Sequence, residues 1–218
     1  MQKQKIISYI LFLSFLVFFC SFNKIQESFC AHRYLNGLRG LEIGGSAHNP
    51  FGLKTLNVDY TAAITPFKQK EIELCGEYRK VDVVASGDRL PFKDNTWDFV
   101  VNSHVLQYFY DPVAAVEEWL RVVKPGGYVF LIIPHKDRTY EWNRPRTSWQ
   151  EIAERHISPN PIVSDHLTRY CVWTTEDFLD LCDYYNWNVV ECQDRDDKVG
   201  NGFMVILQKK LNTKLTKK

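Results

Sequence analysis

From Leu38 onward the chain alternates short apolar runs with longer stretches of mixed polarity. The apolar runs are Gly40–Ile43, Leu56–Tyr60, Val81–Ala85, Trp97–Asn102, Tyr128–Pro134, Asn188–Gln193 and Phe203–Gln208. Runs of this length, separated by helix-sized segments, predict β–α units and a mostly parallel sheet. The plainest helix lies between the fourth and fifth runs. Asp111 is placed to cap it, Pro112 suits its first turn, and Val113, Val116, Leu120 and Val123 fall on one face. Lys124-Pro125-Gly126-Gly127 is expected to stop it. A second helix is expected over Thr175–Tyr185, with Phe178, Leu181, Cys182 and Tyr185 turned inward. The last two runs leave no room for a helix between them and read as an antiparallel pair. The expected fold is therefore α/β, a doubly wound, seven-stranded and mostly parallel sheet whose last strand is antiparallel.

The N-terminus departs from this pattern. Ile6–Phe22 is an uncharged run of 17 residues preceded by Lys3 and Lys5. It exceeds the usual apolar core of a secretory signal and reaches the short limit of a membrane span. Phe18 and Phe19 stand where small residues would be needed for cleavage after Cys20 or Ser21. An N-terminal hydrophobic helix, acting as a single-pass membrane anchor, is the expectation, with entry into the secretory pathway after cleavage as the alternative. The organisation expected is an anchor or signal segment over 1–25, a linker helix over 26–37, the main domain over 38–210, and a basic tail over 211–218.

Composition narrows the partners. The 218 residues carry a formal net charge of +1, but seven lysines at the two ends have no acid near them. Between Ile6 and Gln208 there are 20 basic and 26 acidic residues, a net of −6. A mildly acidic body argues against nucleic acid as the partner. The six cysteines form no C-x-x-C pair, so zinc-ligand spacing is absent, no metal is expected, and they read as small buried hydrophobes.

Lys136–Arg169 breaks the alternation: it is polar, aromatic and rich in Arg, His and Pro. It follows the fifth strand, on the carboxyl side of the sheet where open α/β folds bind ligands. It reads as a substrate lid or as a surface excursion with a short helix over Ser148–Arg155.

Chemistry-bearing residues gather at the ends of the first four strands. The first ends in Leu41-Glu42-Ile43-Gly44-Gly45-Ser46, an acid followed by a glycine turn that lets a ligand approach the backbone. No G-x-G-x-x-G follows, so the nicotinamide fingerprint is missing. The second strand ends in Asp59, an acid able to accept hydrogen bonds from ribose hydroxyls. Then come Ser86-Gly87-Asp88-Arg89-Leu90-Pro91-Phe92, Asn95-Thr96-Trp97-Asp98-Phe99-Val100 and Ser103-His104-Val105-Leu106-Gln107-Tyr108.

This string, from Ser86 to Pro134, resembles the heart of the class I S-adenosylmethionine-dependent methyltransferases, in particular the methyltransferase type 11 group. Gly87, Asp88, Leu90, Pro91, Phe92, Asp94, Asp98 and Val100 match the family pattern in order, as do Lys124 to Gly127. The resemblance spans about Leu38 to Lys209 and implies the Rossmann-like methyltransferase fold, S-adenosylmethionine as cofactor, and methyl transfer to a small-molecule or lipid- or sugar-linked acceptor.

Carried over by position, Glu42, Gly44 and Gly45 would form the loop against the methionine portion and ribose. Asp59 would take the ribose hydroxyls, Asp88 the adenine amino group, and Ser103 with His104 would flank the methionine side. Asp98 reads as a structural acid and Asp94 as a turn residue. Two departures stand out. Only Ser46 to Leu53 separate the glycine pair from the second strand, too few for the usual first helix, and Gln107-Tyr108 replace the family's common Glu-His. Bases for a protonated acceptor would be His104 and His135. Tyr108 and Trp142 would shape the acceptor pocket, and Arg144 and Arg146 would meet a carboxylate or phosphate. The rival readings are a catalytically inactive binding or regulatory module of the same fold and, more remotely, a nicotinamide-dependent reductase.

Overall fold

The computed structural model of the chain describes residues 28–45, 51–158 and 168–211. The apolar run Ile6–Phe22 and most of the basic tail lie outside them, and no helix among the described residues is long and apolar enough to cross a membrane.

The seven strands are β1 (Gly40–Ile43), β2 (Thr55–Asp59), β3 (Val83–Val84), β4 (Trp97–Ser103), β5 (Val123–Pro134), β6 (Val189–Gln193) and β7 (Gly202–Gln208). They form one sheet in the order β3-β2-β1-β4-β5-β7-β6. Pairings from β3 through β5 are parallel, and β7 runs antiparallel to both β5 and β6. The expected α/β architecture with an antiparallel last strand is the one observed. Val129 to Ile133 and Phe203 to Leu207 are fully buried, as a strand covered on both faces requires.

Five helices flank the sheet among the described residues: α1 (Phe29–Leu35), α2 (Pro66–Cys75), α3 (Pro112–Val122), α4 (Trp149–Ile157) and α5 (Thr175–Tyr184). Helix α3 is capped as expected, with the Asp111 carboxylate accepting from the Ala114 N–H at 3.0 Å. Its buried stripe differs in one respect. Trp119 is fully buried, Leu120 only partly, and Val123 already belongs to β5. Lys124 to Gly127 therefore open a strand as well as ending a helix. The Trp119 indole N–H donates to the Gly87 carbonyl at 2.8 Å and so fixes the loop after β3. Trp119→Phe is expected to lower the unfolding free energy by about 1–3 kcal/mol, read by urea denaturation, because it leaves that carbonyl buried without a donor. An unchanged urea midpoint would remove this bond from the account.

The two faces are unequally covered. One packs α3, α4 and α5 against β1, β4, β5 and β7 through Val113, Trp119, Ile152, Phe178 and their neighbours. Helices α4 and α5 meet there through stacked Trp149 and Tyr184 rings 4.4 Å apart. The other face carries α1 through Cys30, Ala31 and Leu35, together with Phe51 and Leu53 from the segment after β1. The expectation that the usual first helix is missing falls largely on residues 46–50, which lie outside the described residues. Phe51 and Leu53 pack in one cluster with Phe99 and Phe130. Cys30, Cys171 and Cys182 are buried free thiols and Cys192 is an exposed one.

Helix α2 has no counterpart in the periodicity, because it lacks an apolar stripe. Its signals are local: Thr65 accepts from the Lys68 N–H at 3.2 Å, Pro66 takes the first turn, and Gly76 closes the end.

Candidate functional site

The carboxyl ends of parallel strands point their terminal residues and following loops to one edge of the sheet. At that edge a cavity of about 730 Å³ opens across β1 to β4, within the range that holds a nucleoside-sized ligand. Its floor is the end of β1. Gly44 adopts a left-handed φ of +64°, and a Cβ there would lie 2.6 Å from the Val105 side chain. A Cβ on Gly45 would lie 1.8 Å from the Asn57 amide oxygen. Both positions demand glycine, and both bring bare backbone to the cavity wall.

Two buried acids face this floor. Glu42 is paired with Arg79 at 3.2 Å and accepts from the Thr55 hydroxyl at 3.4 Å. Burial raises its carboxyl to about 7 against the lowering effect of Arg79 and Thr55. Asp59, at the end of β2, makes an ion pair of 2.7 Å with Lys68, and both side chains are almost fully enclosed. The apolar walls are Ile43, Val58, Ala85, Val105 and Phe109. Thr65 to Lys68, at the start of α2, close one side, and Lys198 and Val199, from the loop between β6 and β7, close another.

Ser103 ends β4 and His104 follows it. His104 holds a left-handed φ of +57°, a strained conformation for a residue with a Cβ. Burial drops its imidazole to about 4, so it is neutral near pH 7, and its Nε2 has no hydrogen-bond partner among the described residues. That Nε2 is itself buried, close enough to the Gly202 backbone that a Cβ on Gly202 would lie 3.2 Å from it.

Of the residues singled out from the sequence, Glu42, Gly44, Gly45, Asp59, Ser103, His104 and Tyr108 line this cavity. The others sit elsewhere. Asp88 is exposed and accepts from the Ser86 hydroxyl, so that its neighbours Ser86 and Gly87 face the cavity instead. His135 lies at the end of β5, where Nδ1 accepts from the Asp137 N–H at 3.1 Å and Nε2 is 3.9 Å from Asp194. It packs edge-on against Phe203, outside the cavity lining. Trp142 is two-thirds exposed, Arg144 is held by Glu141 at 2.6 Å, and Arg146 reaches Asp177 at 3.4 Å. Arg144 is nevertheless tied to the site. Arg169 donates to the Tyr108 hydroxyl at 3.2 Å and to Glu141 at 2.8 Å, and Glu141 also holds Arg144. The described part of the Lys136–Arg169 stretch is thus hydrogen-bonded to a cavity-lining tyrosine.

Sequence reasoning missed Lys68 and Lys198. The Thr65-Pro66 cap could have marked the helix that carries Lys68. No local signal marks Lys198, whose place depends on the return of the chain from β6.

Residues 44–131 match the model of a family described as a methyltransferase domain. An uncharacterized protein of Methanocaldococcus jannaschii is 33% identical over 129 residues, 56% of this chain and 58% of that protein. A demethylmenaquinone methyltransferase of Streptomyces griseus is 42% identical over 73 residues, 34% of this chain and 30% of that one. The matched stretches thus span less than two thirds of these relatives' own length. Among solved structures, a SAM-dependent methyltransferase of Methanosarcina mazei superimposes with a TM-score of 0.52 at 19% identity, covering 84% of this chain and 97% of its own. A protein of Pyrococcus horikoshii OT3 gives 0.51 at 17% identity over 83% and 86%. Likeness at this identity shows a shared fold.

Proposed function

From a chain that carries a methyltransferase domain in the class I fold, we propose S-adenosylmethionine-dependent methyl transfer to a small-molecule acceptor. The observation that carries this reading is the gathering of Glu42, the Gly44-Gly45 turn and Asp59 around one cavity at the carboxyl ends of β1 and β2.

The residues present suit the cofactor. Asp59, kept beside Lys68, offers acceptor oxygens to a ribose diol. Ile43, Val58, Ala85 and Phe109 suit an adenine ring, and the glycine pair admits the ligand close to the backbone. When bound, S-adenosylmethionine supplies a methyl group made electrophilic by its sulfonium centre. The chain's own part is to hold an acceptor in line and to keep water out. His104, which lines the cavity and is neutral near pH 7, is the group assigned to take a proton from the acceptor. Tyr108, braced by Arg169, would orient that acceptor. Phe67 and Val199, both exposed and both lining the cavity, favour an acceptor with an apolar portion, lipid-linked acceptors included. The demethylmenaquinone methyltransferase and a 2-methoxy-6-polyprenyl-1,4-benzoquinol methylase of Leishmania donovani, 34% identical over 95 residues, are relatives whose names are consistent with that class.

Calorimetric titration of the full chain with S-adenosylmethionine and S-adenosylhomocysteine tests the reading. Saturable binding of both, followed by S-adenosylhomocysteine release with a quinol acceptor, is the expected result. Binding without turnover on a panel of quinol, sugar and lipid acceptors would favour the inactive binding module. A folded chain that takes up neither nucleoside at millimolar concentration would overturn the proposal.

A further inference from the structure

Lys198 stands apart among the charged residues of the cavity. Glu42 has Arg79 and Asp59 has Lys68. Lys198 lines the same cavity, yet its ammonium makes no hydrogen bond or ion pair among the described residues. Its contact is with a ring: Nζ lies 5.3 Å from the centroid of Phe51. The residue is half-buried, and burial lowers its ammonium from the ordinary range. Four acids, Glu42, Asp196, Glu71 and Asp197, act on this ammonium from a distance, and none forms an ion pair with it among the described residues.

The loop that carries it is built to hold it there. The buried Asp196 carboxylate accepts the N–H groups of Lys198, Val199, Gly200 and Gly202 at 2.6 to 3.1 Å. Asp197 accepts from the Ser28 hydroxyl and the Cys30 N–H, both at 2.7 Å, which ties the loop to the N-terminus of α1. This is the face of the sheet that carries α1, Phe51 and Leu53. Lys198 therefore lines the same cavity as Gly44 and Gly45 although it comes from the far end of the chain.

We propose that Lys198 binds the α-carboxylate of the amino-acid end of S-adenosylmethionine, giving this cavity a side-chain counter-charge beside the Gly44-Gly45 turn. The assignment rests on the methyltransferase reading and refines it. It also explains the pairing of opposite charges at this end of the cavity: an amino-acid zwitterion presents an ammonium to suit Glu42 and a carboxylate to suit Lys198. Adenosine or a truncated nucleoside has neither.

The test separates the two halves of the cofactor. Calorimetric titrations of the full chain use S-adenosylhomocysteine, which has the amino-acid end, and 5′-methylthioadenosine, which lacks it. Lys198→Met is expected to weaken S-adenosylhomocysteine about 10- to 100-fold, the range for loss of a charged hydrogen bond, and to leave 5′-methylthioadenosine within about twofold. Lys198→Arg, which keeps the charge, is expected to retain most of the affinity, and its thermal midpoint shows that the loop is intact. Equal weakening of both ligands, or of neither, would overturn the role of Lys198 and leave the methyltransferase reading in place. Failure of the unaltered chain to bind either ligand would overturn both.

Discussion

Asp59→Ala is expected to weaken S-adenosylhomocysteine binding about 100-fold and to lower the unfolding free energy by about 3–5 kcal/mol. The second effect comes from Lys68. Its ammonium lies 2.7 Å from the Asp59 carboxylate with both side chains enclosed, so deleting the acid strands a charge in the interior. The first comes from the loss of the acceptor at the end of β2 that a ribose diol would use. Adding Lys68→Met separates them, since it removes the stranded charge and keeps much of the volume. The double variant is expected to recover most of the thermal midpoint and none of the binding. Recovery of binding with stability would mean that Asp59 serves only as the partner of Lys68, and that the ribose is held elsewhere.

Those two residues also show where the sequence was legible. Asp59 could be found because it ends an apolar run and follows the acid–glycine turn of β1 by one strand. Both are local features, and in a parallel sheet each strand's carboxyl end falls on the same edge. The strands were legible for the same reason: burial on both faces makes them continuous apolar runs, as in Val129 to Ile133. Helix α3 was legible through its Asp111-Pro112 start. Helix α2 was not, because its exposed surface leaves no 3.6-residue apolar period and only its cap announces it. Trp119 was missed for a different reason. Its burial serves a bond to the Gly87 carbonyl, a tertiary contact that no helical period encodes. His135 occupies the strand-end position expected of a site residue, yet its two ring nitrogens face Asp137 and Asp194, so that strand-end position alone did not predict its surroundings. Lys198 lies at the limit of legibility, because its place depends on β7 entering the sheet antiparallel beside β5.

Glu42 should make both stability and cofactor binding depend on pH near neutrality. Its carboxyl is raised from 4.5 to about 7, chiefly by burial, with Arg79 and the Thr55 hydroxyl opposing. A raised acid binds more protons in the folded chain than in the unfolded one. Stability is therefore greatest below pH 4.5 as far as this group is concerned, declines as pH rises to about 7, and is level above. At about 1.4 kcal/mol per unit the decline is on the order of 3 kcal/mol. Glu42→Gln titrates nothing in this window, and Arg79 keeps its bonds to the Thr55 carbonyl and hydroxyl. Urea unfolding from pH 4 to 9 should then show the variant gaining on the unaltered chain across pH 4.5–7 by that amount. A difference that does not change with pH would remove burial of this carboxyl as a cost. The ligand acts in the opposite direction. A bound ammonium or sulfonium favours the ionised carboxylate, so affinity for S-adenosylmethionine should climb as pH rises toward 7 and proton release should accompany binding below it. Both signs should vanish in Glu42→Gln. Because Lys198 also lowers the Glu42 carboxyl, Lys198→Met should move the pH window upward. The pH profile therefore reports whether the two residues act on the same end of the ligand, by a readout that does not depend on knowing the methyl acceptor.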